Sequence, residues 1–259
     1  MKSFETKIYN RWALPIGTTL PGPAIICQKD TTTLVPPECT FTAFANGCIE
    51  IDTSSLCESD KDTSSDQKTV EVDPVTAAVI RGELENIAVE MGYKLERMSY
   101  SSIIRESRDF GTALVSVAGD QLAESIQSTP LQSGPIPGYI KGVKKIFEER
   151  GEKFEPGDVI MHNDPYSGAS HGPDIGFIVP VFHEGELVGF SGCTAHHLDI
   201  GSLTPGSCGI VDAIDAYAEG LQFKAIKVFA KGVKNIPVWQ MLTDNIRTSD
   251  MVVGDMEAQ

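Results

Sequence analysis

Two apolar runs, IGFIVPVF (175–182) and LVGFSGCTA (187–195), are separated by only the four residues HEGE. Nothing else in the sequence limits the fold as strongly. Runs this apolar belong to strands covered on both faces, and so short a connection implies an antiparallel hairpin. The chain must therefore bury a hairpin in a sheet with packing layers on either side. Taking Glu184 and Gly185 as the turn, paired residue numbers sum to about 369, so Asp174 falls opposite Ala195 and His196 opposite Pro173. A one-residue slip in this register would move each side chain to the other face.

Histidines cluster at the open end of this hairpin. SHGPDIG (170–176) places His171 and Asp174 just before the first strand, and TAHHLDIG (194–201) places His196 and His197 at the end of the second. The hairpin carries His196 back beside the HGPD loop. Two imidazoles and a carboxylate suit a divalent cation such as Zn, Mn or Fe, which would activate water or polarise a carbonyl. The competing reading makes each histidine a hydrogen-bonded structural residue, and His162 and His183 fit it better, His183 as an exposed turn residue. His197 points to the opposite side of its strand from His196, where it either touches substrate or supports the ligands. Asp109, in RESRDFG behind Arg105 and Arg108, is either a fourth ligand or base, or the partner of one of those arginines. Asp164 reads as a turn former with Pro165, and Asp199 and Asp212 as surface residues. A Cys193–His196 nucleophile pair is the rival chemistry, but strand alternation puts the two on opposite faces.

Composition breaks sharply at 53–72, TSSLCESDKDTSSDQKTVEV, a polar linker. Before it, residues 1–52 form a small all-β piece: GPAIICQ, DTTTLVPP, TFTAFANG and CIEIDT read as strands, with Asn46-Gly47 a hairpin turn. A β domain of this size is marginal alone and is expected to pack on something else. After it, Asp73 and Pro74 open a helix with an apolar stripe at Ile80, Leu84, Ile87, Met91, Leu95 and Met98. FGTALVSVAGDQL is a strand–turn–strand, GYIKGVKKIFEERG a helix ending near Gly151, and GDVIMHN and QFKAIKVFAKG strands. VDAIDAYAEG reads as a short helix and VWQMLTDNIRTSDMVVGDMEAQ as one final helix. The expected class is α/β of the α+β type, a mixed, largely antiparallel sheet with flanking helices plus the small β piece.

The net charge of −15 disfavours nucleic acid. No run of about 18 apolar residues suggests a membrane span, and MKSFETKIYNRW lacks a signal-peptide core, so a cytoplasmic location is expected. Cys27, Cys39, Cys48, Cys57, Cys193 and Cys208 contain no C-x-x-C pair and read as reduced thiols. The sequence has no P-loop.

Taken together, DPVTAAVIRGELENIAVEMGYKLERMSYS, ESRDFGTALVS, NDPYSGASHGPDIG and TAHHLDIGSLTPGS resemble the hydantoinase B/oxoprolinase family from residue 73 to 259. GPAIICQKDTTTLVPPE resembles the C-terminus of hydantoinase A. The layout is similar to an A-to-B fusion cut inside both parts, so 73–259 is expected to be a domain truncated at its C-terminus. The resemblance implies an ATP-dependent enzyme in which an A part binds ATP and phosphorylates the substrate while the B part holds a metal. It implies His171, Asp174 and His196 as ligands, from the H-x-x-D motif and the His-His pair, and Asp109 at the site. It also implies a hydantoinase A-like partner, a small-molecule substrate and a hetero-oligomer. The expected activity is hydrolysis of cyclic amides of the hydantoin or oxoproline type. The alternatives are a ketone carboxylase subunit, which would use the same site, and a non-catalytic assembly subunit. Two departures bear on substrate: Gln132 stands where the family often has His, and NDPYSG differs from the NHP form of 5-oxoprolinases. The ATP-binding region of the A part is not in this sequence.

Overall fold

The buried hairpin is the centre of a seven-stranded sheet. The computed structural model describes residues 3–57, 73–204 and 213–259, and the chain divides into two compact units, Met1–Glu71 and Val72–Gln259.

The first unit holds six short strands: β1 (Lys7–Asn10), β2 (Thr19–Pro21), β3 (Ala24–Cys27), β4 (Thr32–Val35), β5 (Thr40–Ala43) and β6 (Ile49–Asp52). They form two three-stranded sheets, β1-β3-β4 and β2-β5-β6, around Ala24, Ile26, Val35 and Phe41. The four expected strands are β3 to β6; β1 and β2 are additional, too short and too polar to stand out in sequence. Asn46-Gly47 lies in the β5–β6 connection, where Gly47 has φ +83° and Asn46 Oδ1 accepts the Cys48 N–H. The residues taken for linker begin with a helical turn, α1 (Ser54–Cys57), and 58–72 lie outside the described residues.

The second unit opens with α2 (Pro74–Met98), capped as its sequence predicts: Asp73 Oδ2 accepts the Thr76 N–H at 3.0 Å. The expected packing stripe needs correction. Its buried residues are Ala88, Gly92 and Leu95, whereas Ile80, Ile87 and Met98 are exposed. Small residues win because the helix lies close on its neighbours: Thr112 Oγ1 donates to the Ala88 carbonyl at 2.8 Å, and a Cβ on Gly92 would sit 3.3 Å from the Phe110 ring.

Beyond it come α3 (Ser102–Arg105), β7 (Phe110–Ser116), β8 (Gln121–Glu124), α4 (Pro130–Ser133), α5 (Ile136–Arg150), β9 (Val159–His162), β10 (Asp174–His183), β11 (Glu186–His196), β12 (Ile226–Ala230), β13 (Val233–Lys234), α6 (Ile236–Asn245) and α7 (Ser249–Ala258). The sheet order is β13-β12-β9-β10-β11-β7-β8, and every one of these pairings is antiparallel. Parallel pairing occurs instead between β1 and β3. Two expectations change here. The final helix is two, α6 and α7, broken at Ile246, whose backbone is extended. The short helix expected around Ala216 is a 3-10 turn, Ala216–Glu219.

Both faces of the central hairpin are covered, as its composition requires. On one, Ile178 and Phe190 pack with Ile136, Tyr139, Ile140, Val143 and Phe147 of α5. On the other, Ile175 and Phe177 pack with Trp239, Leu242, Val252 and Met256 of α6 and α7. Glycines set the spacing on the α5 face. A Cβ on Gly176 would meet the Tyr139 ring at 2.6 Å, and one on Gly142 would collide with the Ser167 carbonyl. Helix α5 ends in a left-handed glycine, Gly151 at φ +66°, the form that favours Gly.

Gly142→Ala is therefore expected to push the 165–168 turn off α5 and to destabilise the second unit by about 1–3 kcal/mol, measured by chemical denaturation.

Candidate metal centre

The hairpin turn is where the sequence places it, with left-handed backbone at Glu184 (φ +49°) and Gly185 (φ +87°), as a tight two-residue turn requires. The register beyond it differs from the expected one. His183 pairs with Glu186 and Phe182 with Leu187, but Val181 pairs with Gly189. Val188 is the extra residue of a β-bulge. From there paired numbers sum to 370 rather than 369, and Asp174 lies directly opposite His196. Opposed residues project from the same face, so the bulge brings the carboxylate and the imidazole together.

His171, Asp174 and His196 form one cluster whose donor atoms all lie within 4.8 Å of one another. His171 Nε2 is 3.0 Å and His196 Nδ1 2.8 Å from the same oxygen, Asp174 Oδ1, and the two imidazole rings are 5.1 Å apart. Asp174 and His196 are buried and His171 is partly exposed, which makes His171 the solvent side of the site. Burial works to raise the Asp174 pKa, but hydrogen bonds from His171 and His196, the His171 charge and the Gln132 amide outweigh it and hold the carboxyl well below the usual carboxylate range. Burial pulls His171 down, and Asp174, Glu219 and Asp109 more than offset it, so its pKa is raised. Among the described residues His196 Nε2 is buried with no hydrogen-bond partner. A buried, unpaired imidazole nitrogen beside a second imidazole and an ionised carboxylate is a donor set that fits a first-row divalent cation.

The loop that presents His171 is held at both backbone groups of Gly172. Glu219 Oε2 accepts the Gly172 N–H at 2.7 Å. Asn163 Nδ2 donates to the Gly172 carbonyl at 2.6 Å and to that of Leu221 at 3.0 Å, while its Oδ1 accepts the Phe223 N–H. Tyr139 Oη donates to the Asp174 carbonyl at 2.8 Å and accepts the Ser170 N–H. Sequence reasoning missed Asn163, Glu219 and Tyr139, whose roles depend on contacts with distant chain segments.

Other candidates take varied places. Asp109 Oδ1 accepts from Gln132 Nε2 at 3.2 Å, and its carbonyl accepts the His196 N–H at 3.0 Å. It stands beside the trio without joining the cluster, and Arg108 pairs with Glu96 at 3.1 Å rather than with it. His197 lies on the opposite face, fully buried, its Nε2 2.6 Å from Gln259 Oε1. Burial, helped by neighbouring His196, pushes its pKa down to about 4, against the pull of Gln259 and Asp255. His162 is structural, its Nδ1 accepting the Ala225 N–H and its Nε2 facing the Ser167 carbonyl. Asp164 caps the Pro165–Ser167 turn. Asp199 corrects the surface expectation: it is buried and bound by Arg247 at 2.9 Å. Asp212, Cys208 and most of the 201–209 loop lie outside the described residues. Cys193 is a free thiol on the face away from His196, and burial pushes its pKa up to about 12, which leaves it no nucleophile.

A family model for hydantoinase B/oxoprolinase matches residues 73–259. The chain belongs to the hydantoinase B/oxoprolinase family. Within that family, the B component of a putative D-/L-hydantoinase from Pseudomonas sp. (strain NS671) is 72% identical over 188 residues, 73% of this chain and 32% of the relative. A 5-oxoprolinase of Dictyostelium discoideum is 36% identical over 256 residues, 98% of this chain and 19% of that protein. Among solved structures, an acetone carboxylase in its nucleotide-free form superposes with a TM-score of 0.66 at 25% identity, covering 73% of this chain and 24% of that one. The chain thus spans a third or less of the length of these hydantoinase B/oxoprolinase relatives. No helix among the described residues is long and apolar enough to cross a membrane.

Inserting one alanine between Val188 and Gly189, with the one-residue bulge kept, sets Asp174 opposite Ala195. The expected result is an unchanged far-ultraviolet circular dichroism spectrum with divalent-cation binding weakened by at least about 100-fold in calorimetry, since a ligand leaves the cluster.

Proposed function

We propose that this chain carries the metal-binding part of an ATP-dependent hydrolase of cyclic amides of the hydantoin or oxoproline type. The observation that carries the reading is the convergence of His171, Asp174 and His196, in a chain 72% identical to the B component of a putative hydantoinase. When bound, a divalent zinc, manganese or iron ion supplies Lewis acidity toward a carbonyl and acidifies water. The protein's own groups prepare the place. Asp174 is kept ionised, and the clamp on Gly172 fixes the loop carrying His171. Asp109, oriented by Gln132, is the proton acceptor beside the trio. His197 does not reach the trio; its buried ring, tied to Gln259, fixes the end of β11 and so holds His196 in place.

In this reading a hydantoinase A-like partner binds ATP and phosphorylates the substrate, and the active particle is a cytoplasmic hetero-oligomer. A second reading, a ketone carboxylase subunit using the same residues, is favoured by the fold shared with acetone carboxylase.

Metal analysis by mass spectrometry is expected to find about one equivalent of a divalent transition metal per chain and less than about a tenth of that in His171→Ala. Equal content in the two proteins sinks the site. For the reaction, the assembly with its ATP-binding partner is expected to open hydantoin rings when ATP is present. Bicarbonate-dependent ATP turnover on a ketone, without ring opening, would replace the hydrolase reading with the carboxylase one.

A further inference from the structure

Gln132 is a buried neutral polar side chain beside the trio, with 2% of its surface exposed. Its backbone is pinned from three directions. The Gln132 N–H donates to the Thr129 carbonyl at 2.9 Å, and Thr194 Oγ1 of β11 donates to the Gln132 carbonyl at 2.9 Å. Gly111 of β7 lies so close beneath that a Cβ there would be 2.6 Å from the Gln132 carbonyl carbon. The residue is therefore fixed to β7, which Asp109 immediately precedes, and to β11, which ends in His196.

The chemistry of its neighbours fixes the side chain too. Nε2 donates to Asp109 Oδ1 at 3.2 Å. A carboxylate oxygen accepts hydrogen bonds, so the NH2 end faces Asp109 and the oxygen turns away from it. That oxygen, Oε1, is buried and has no hydrogen-bond partner among the described residues. A buried acceptor left unpaired is costly, and what satisfies it must bring a donor.

We infer that Gln132 determines substrate class at this site: its Nε2 is locked on Asp109, and its Oε1 accepts a hydrogen bond from an N–H of the substrate. The identity of that substrate as a cyclic amide rests on the hydrolase reading above. A lactam or ureide ring presents an N–H next to the carbonyl to be attacked, and so satisfies Oε1 as it enters. A simple ketone presents the carbonyl alone and leaves Oε1 unpaired. Sites built around such a contact discriminate strongly against analogues that lack the donor.

The test is calorimetric binding of hydantoin, 1-methylhydantoin and 3-methylhydantoin to the complete metal-loaded assembly without ATP. One methyl isomer is expected to bind at least about 10-fold more weakly than hydantoin. In Gln132→Met, similar in length and volume but without an acceptor, the difference should shrink to less than about 2-fold. Equal binding of all three compounds by the wild type overturns the assignment, as does no measurable binding of hydantoin, or a difference that persists in the variant. Should Gln132→Met fail to fold, the wild-type comparison still decides. An assembly that discriminates among these compounds yet opens no ring when ATP is added would sink the hydrolase reading and leave the Gln132 assignment standing.

Discussion

One unpaired residue, Val188, decides whether Asp174 and His196 meet across the hairpin. Side chains along a strand alternate between faces, so the face His196 takes depends on the parity of the count back from the turn. The two-residue turn at Glu184-Gly185 alone would set Asp174 against Ala195. The bulge adds one to the count and sets it against His196. The strands themselves gain little from the change, since both runs are apolar enough to be buried either way up. The gain belongs to the site, which fits the frequent placement of bulges near functional residues.

The sheet then separates two kinds of polar burial. On the α5 face, His171, Asp174, His196, Asp109 and Gln132 collect where loop, strand ends and a short helix meet. On the α7 face, His197 sits one residue from His196 in a closed pocket, where burial keeps it uncharged and Gln259 meets its Nε2. Adjacent identical residues thus acquire opposite characters from the pleat alone. Close packing by glycines keeps the first face open to polar side chains: Gly111 admits α4, and Gly142 admits the turn that leads to His171.

How far this was legible from the sequence depends on whether a feature is local. The hairpin, its turn residues, the Asp73 cap and the Gly151 stop were all readable, because each is written in neighbouring residues. His171, Asp174 and His196 were named together, yet the register used to join them was off by one. Nothing in LVGFSGCTA marks Val188 as the residue left without a partner. The stripe on α2 was misjudged because periodicity locates an apolar face but not how closely a neighbour approaches it; Ala88 and Gly92 are buried for want of bulk. Asp199 looked like a surface acid because its partner, Arg247, lies 48 positions away. Gln132 drew notice only as a departure from a motif, while its hold on Asp109 appears only in three dimensions.

The clamp on Gly172 carries a consequence for biogenesis. Asn163 joins a carbonyl nine residues downstream to another 58 downstream, and takes an N–H from 60 downstream. Glu219 reaches back 47 residues to the N–H of the same glycine. On a ribosome, the segment bearing His171 emerges well before the stretch that steadies it. Such distant closures are slow relative to local ones, so the nascent polypeptide passes through an interval in which its imidazoles exist without a rigid frame. In the proposed metal-binding reading, insertion of the ion thereby becomes a late event in maturation, gated by the arrival of residues 219–223.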